Sequence, residues 1–147
     1  MAEQELIATA RETIEAFNAA NWGRLRALQA ADSVYKELGT QREVQGPDGF
    51  VDIMRGWKQA FPDATGTVTN AVASGNTVVL EISWQGTQTG PLEAPEGTIP
   101  ASGKTMDLAS TQVIEFEGNK VKENRQYFDS LTLLQQIGAV PTAKEQA

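Results

Sequence analysis

The sequence predicts an α+β domain in which helices come first, a long run of strands follows, and the helices pack on one face of the sheet. Through residue 61 apolar side chains recur every three or four positions; after Pro62 they alternate with a period of two. Two explicit turns, Ser74-Gly75-Asn76 and Glu117-Gly118-Asn119, each lie between alternating runs and read as hairpins.

Taken in order, Leu6, Ile7, Ala10, Ile14 and Phe17 form the apolar stripe of a first helix that ends at Asn18 to Asn21. Trp22, Leu25 and Leu28 suggest a second, short helix. Ser33 to Leu38 and Arg42 to Val44 read as short strands. Gly46-Pro47-Asp48 opens a third helix, because proline fits a first turn and an acid there complements the dipole. Phe50, Met54, Trp57 and Phe61 form its stripe and Pro62 stops it. Val78, Leu80, Ile82 and Trp84 share one face of a strand, and Met106, Leu108, Ile114 and Phe116 one face of another. Gly90 to Gly103, with Pro91, Pro95 and Pro100, is a longer connection. Leu131 to Ile137 is a closing helix ended by Gly138. This gives one domain over residues 1–140 and a frayed tail over 141–147. Strands of ten or more residues coil strongly, and a coiled antiparallel sheet with helices across its concave side makes a cone with a pocket. Composition alone fits other α+β folds equally well.

The 147 residues suit one domain, and a chain of that length buries roughly 70% of its unfolded surface. With no cysteine there is no disulfide, no thiol catalysis and no thiolate for zinc. With no histidine the commonest general base and metal ligand are also missing, so acid–base work falls to Asp, Glu, Tyr, Lys or Arg. A net charge of −7 with scattered Lys and Arg offers no footprint for nucleic acid and repels an anionic membrane surface. No apolar run approaches a bilayer span, and Met1 to Arg11 lack a signal-peptide core, so the expected location is the cytoplasm.

Five stretches in order carry a family resemblance. They are G-P-D-G-F at Gly46 to Phe50, F-P-D at Phe61 to Asp63, G-T-Q-T-G at Gly86 to Gly90, G-T-I-P-A-S-G-K at Gly97 to Lys104, and Y-F-D-S-L-T-L-L-Q-Q-I-G at Tyr127 to Gly138. The set resembles the SnoaL-like polyketide cyclases (ester cyclases), which share the cone fold of nuclear transport factor two and ketosteroid isomerase. The resemblance implies that fold, with a barrel-like pocket. It also implies an intramolecular aldol closure without cofactor or metal, an apolar or polyketide-like small molecule as ligand, and a homodimer paired through the sheet's outer face. Two positions depart from the family pattern: its histidines are replaced by Gln88 and, after Glu123, by Asn124. An amide keeps a hydrogen bond but cannot shuttle a proton.

The acid that the resemblance carries over is Asp129. It reads either as a pocket carboxylate, desolvated and acting as a general base, or as the N-cap of the closing helix. Tyr127, Arg125 and Glu123 share its parity, which makes that face a pocket wall or a solvated face; Arg125 and Glu123 read as an ion pair or dimer contact. Ser110 and Gln112 interrupt an apolar row, where a pocket or a wet sheet edge would explain them. In the cyclase reading Asp129 is catalytic. Tyr127, Gln112, Gln88 and Ser110 bind substrate, and Trp57, Trp84 and Phe128 are walls that could equally be ordinary core. The alternatives are a non-catalytic binding or dimerising protein on the same fold, or a related isomerase or hydrolase.

Overall fold

The apolar stripes become four helices in the structure, a computed structural model that describes residues 2–95 and 97–140. The expectation of a frayed tail over 141–147 lies outside the described residues. Helix α1 (Glu3–Asn18) buries Leu6, Ala10, Ile14 and Phe17, and Glu3 and Glu5 in its first turn complement the dipole. It ends in a Schellman arrangement, with Ala20 at φ 53° and the Asn21 amide bonded to the Ala16 carbonyl. Asn21 then caps α2 (Trp22–Ala27) by accepting from the Arg24 amide. Helix α3 (Gly46–Ala60) starts with Pro47 in its first turn, as its sequence requires. Helix α4 (Ser130–Gln136) ends where Gly138 turns left-handed at φ 74°.

The strands are β1 (Gln29–Glu37), β2 (Arg42–Gln45), β3 (Thr65–Ser74), β4 (Thr77–Thr87), β7 (Thr105–Glu117) and β8 (Lys120–Phe128). They form one open sheet in the order β2-β1-β8-β7-β4-β3. Both expected hairpins are present, joining β3 to β4 and β7 to β8. The sheet is mixed rather than antiparallel throughout, because β1 runs parallel to β8. Register shifts between Gln29 and Val34, Val68 and Asn70, and Glu115 and Phe116 add bulges, which sharpen twist and curve the sheet. It does not close into a barrel. The long connection carries a small hairpin of its own, β5 (Leu92–Ala94) with β6 (Gly97–Ile99).

The concave face divides into two halves. At one end α1 lays Leu6, Ala10 and Ile14 on Val78, Leu80, Ile82, Ile114, Phe116 and Val121, and this part is solid core. At the other end α2, α3 and α4 cover the sheet with Leu25, Phe50, Met54, Phe61 and Leu133 but leave space beneath them.

Candidate functional site

That space is an inner cavity with about 70 Å³ open to the centres of water-sized molecules. Its walls are apolar: Phe17, Met54, Trp57, Phe61, Trp84, Met106, Leu108 and Phe128 among them. Its floor is polar. The concave row of β7 runs Met106, Leu108, Ser110, Gln112, Ile114, Phe116, so the two polar interruptions lie at its middle. Gln112 stands opposite Gln126 and Ile114 opposite Asn124 on β8, which brings Ser110, Gln112, Asn124 and Gln126 together. All four are buried.

These groups are hydrogen-bonded to one another. The Trp84 indole N–H donates to Ser110 Oγ at 2.8 Å, and the Ser110 hydroxyl donates to Gln126 Oε1 at 3.2 Å. Gln112 Nε2 donates to the same Gln126 oxygen at 2.9 Å, and Asn124 Nδ2 donates to Gln112 Oε1 at 3.2 Å. Gln126 Nε2 donates to the Tyr35 hydroxyl at 2.8 Å. Tyr35 in turn donates to Glu37 Oε2 at 2.7 Å, and Trp57 Nε1 donates to that oxygen at 2.9 Å. Arg42 pairs with the other Glu37 oxygen at 2.6 Å. Parallel pairing makes this possible, because it sets Tyr35 beside Asn124 and Glu37 beside Gln126. Burial, and then the charge of Glu37, push the Tyr35 phenol well above its usual pKa, so it stays a neutral donor. One polar atom of the floor, Asn124 Oδ1, is buried with no donor among the described residues.

An outer cavity of about 450 Å³ on the same measure lies beside the inner one. Gly39, Gln41, Arg42, Glu93, Pro95 and Ser130 contribute to its lining. Trp57, Phe128 and Leu133 line both cavities, and the Trp57 and Phe128 rings meet edge to face at 5.9 Å. They are the partition between the two. Among the described residues no three carboxylates gather where one metal ion could sit.

Five of the eight sequence candidates line the inner cavity: Ser110, Gln112, Trp57, Trp84 and Phe128. The other three do not. Tyr127 is 44% exposed on the opposite face of β8, the side on which Arg125 pairs with Glu123 and Glu115. Gln88 is fully buried but serves the long connection. Its Nε2 donates to the Pro100 carbonyl at 3.1 Å and its Oε1 accepts from the Ser102 amide at 3.2 Å. Asp129 is exposed and caps α4, accepting from the Thr132 amide at 3.2 Å and the Thr132 hydroxyl at 2.6 Å. The hydroxyl and then the amide hold its carboxyl below the usual range, opposite to the upward shift of a desolvated base. Asn124, Gln126, Tyr35 and Glu37 complete the site. The parity of Asn124 and Gln126 with Phe128 was a signal for the first two.

A stability prediction follows for Asp129. Its cap strengthens above the ordinary carboxylate range and is lost as pH falls through its lowered pKa. Asp129→Ala is expected to lower Tm by a few degrees at neutral pH. Asp129→Asn, an equally good cap, should keep most of the neutral-pH Tm and soften the loss in acid. Thermal melts from pH 7 down to 3 check this, and neither variant should change ligand affinity.

The open curved sheet with helices across one face defines the class of nuclear transport factor two-like and ketosteroid isomerase-like folds. A SnoaL-like protein from Jannaschia sp. CCS1 superimposes with a TM-score of 0.84 at 20% identity, over 95% of each chain. IdmH from Streptomyces antibioticus, a candidate polyketide cyclase, gives 0.73 at 24% identity, over 89% of this chain and 96% of that one. A ketosteroid isomerase-like protein from Catenulispora acidiphila, crystallised with trimethylamine, gives 0.75 at 18% identity, over 88% and 92%. No curated protein matches significantly in sequence. The family model for the SnoaL-like polyketide cyclases matches residues 7–137, and the chain belongs to that family.

Proposed function

We propose that this chain holds a small apolar, polyketide-like molecule bearing hydroxyl or keto oxygens in its inner cavity, and works as a cofactor-free protein of the cyclase type by keeping that molecule folded against the amide floor. One observation carries the reading: apolar walls close on Ser110, Gln112, Asn124 and Gln126, and Asn124 Oδ1 is buried without a donor among the described residues. The four polar groups satisfy most of one another's hydrogen bonds, and the acceptor left over, Asn124 Oδ1, is the one whose burial a bound polar group would offset. Holding two reactive ends of one chain together can lower a barrier by several kcal/mol. Each floor amide also retains a second N–H, which can stabilise a developing enolate oxygen. Among the described residues no ionisable side chain lines the inner cavity, and the pair Tyr35 and Glu37 stands behind Gln126 and Trp57. That same observation favours the second reading, a binding protein without turnover. A longer molecule would reach across the Trp57–Phe128 partition into the outer cavity.

The test is a titration with ethyl benzoylacetate followed by tryptophan fluorescence, since Trp57 and Trp84 both line the cavity. Saturable binding is expected, about tenfold weaker for Gln112→Leu, which removes the centre of the floor. Exchange of the ester's α-protons with deuterated solvent above the buffer rate selects the cyclase reading, and binding without exchange selects the binder. No saturable binding across a panel of β-keto esters would overturn both.

A further inference from the structure

The direction of every amide in the floor is fixed by two residues that can bond in only one sense. At one end, Glu37 is fully buried and accepts five hydrogen bonds, from the Tyr35 hydroxyl, the Thr40 hydroxyl, Arg42 Nε, Arg42 Nη2 and Trp57 Nε1. A carboxylate surrounded in this way only accepts. The Tyr35 hydroxyl therefore donates to it, and the Tyr35 oxygen takes its hydrogen bond from Gln126 Nε2 at 2.8 Å. At the other end, the Trp84 indole can only donate. Ser110 Oγ accepts from it, and the Ser110 proton goes to Gln126 Oε1. Both ends impose the same orientation on Gln126: amide toward Tyr35, oxygen toward Ser110 and Gln112.

The rest is forced. Gln112 turns its Nε2 to the Gln126 oxygen, so its own Oε1 faces Asn124. Asn124 turns its Nδ2 to Gln112, which leaves Oδ1 as the end of the row. Asn124 is 5% exposed and lines the inner cavity.

We propose that Glu37 and Trp84 are specificity-determining residues that act through Tyr35, Ser110, Gln126 and Gln112 to present Asn124 as a hydrogen-bond acceptor, so that the cavity selects ligands with a hydroxyl or N–H at that end over ligands with only a carbonyl or ether oxygen there. The proposal rests on the inner cavity being the ligand site. A donor on the ligand satisfies a buried oxygen that has no donor among the described residues. A carbonyl placed there sets two acceptors against each other and leaves both unsatisfied. The floor thus favours the hydroxyl or enol form of a keto compound.

The test uses 1-phenylethanol and acetophenone, a pair of nearly equal size in which only the alcohol donates. The comparison is between the native protein and Tyr35→Phe/Ser110→Ala, which uncouples both ends from the floor but keeps Glu37 with Arg42. The native protein is expected to bind the alcohol about tenfold more tightly than the ketone, and the double variant to narrow that ratio to about threefold or less. Equal affinities in the native protein, or an unchanged ratio in the variant, would overturn this inference while leaving the cavity a binding site. Binding of neither compound would overturn both. In the ligand-free native protein, NMR should also show cross-relaxation between the Gln126 side-chain amide protons and the Tyr35 ring protons. Cross-relaxation of those protons with the Gln112 amide instead would contradict the orientation directly.

Discussion

Glu37→Ala is expected to destabilise the protein by about 3–5 kcal/mol, the range for breaking a buried charge pair by removing one partner. The Glu37 side chain is fully buried and its Arg42 partner is 26% exposed. Without the carboxylate, the Tyr35 hydroxyl and the Trp57 indole lose their acceptor inside the fold, and Arg42 loses its counter-ion. The double variant Glu37→Ala/Arg42→Ala should lose less than the sum of the two single changes, because each single change strands the other charge. Urea unfolding at neutral pH measures all four corners of that cycle. A loss under about 1 kcal/mol for Glu37→Ala would mean that water replaces the carboxylate at no penalty, and the cluster would then not be a rigid support.

Gly90→Ala is the second large effect, at about 3 kcal/mol, the upper end of the usual range for overpacking. A Cβ at this position would lie 2.1 Å from the Gln59 carbonyl oxygen and 3.1 Å from its carbon, so backbone rather than a flexible side chain stands in the way. The same glycine donates its amide to the Ala60 carbonyl at 3.2 Å, which ties the connection after β4 to the end of α3. The final glycine of G-T-Q-T-G is therefore a close-approach residue that sets how α3 lies over the cavity. Circular dichroism melts check it: the variant should melt roughly 6–12 °C lower, and an unchanged Tm would show that α3 can lift away freely.

The fold was legible because its signals are local. Period, turn residues and the Pro47 and Pro62 punctuation sit within a few residues of what they determine. The parallel pairing of β1 with β8 was not, because it joins segments about ninety residues apart and neither strand carries a mark of its partner. Half of the floor was legible for a different reason: Ser110 and Gln112 stand out in an otherwise apolar row. On β8 the choice of face was the difficulty. Tyr127 and Phe128 are neighbours on one strand and cannot both face the cavity, yet either aromatic suits a wall. The structure turns Phe128, Gln126 and Asn124 inward. Glu37 carries no local mark of its role, being one charged residue in the short stretch Ser33 to Leu38. Its burial depends on Arg42 across the following turn and on Trp57 from another helix, contacts that no period reports. Asp129 carried two readings, a pocket base by the family resemblance and a helix cap by local rules, and its bonds to Thr132 are those of the cap.

The central claim is that a small apolar molecule with oxygen groups sits on the floor formed by Ser110, Gln112, Asn124 and Gln126. The most direct measurement is an NMR titration of the side-chain amide resonances of Gln112, Asn124 and Gln126 with ethyl benzoylacetate. These three resonances are predicted to shift together and saturate, and Gln88, buried outside the cavity, should not move. Shifts confined to the surface, with the three floor amides unmoved, would contradict the account.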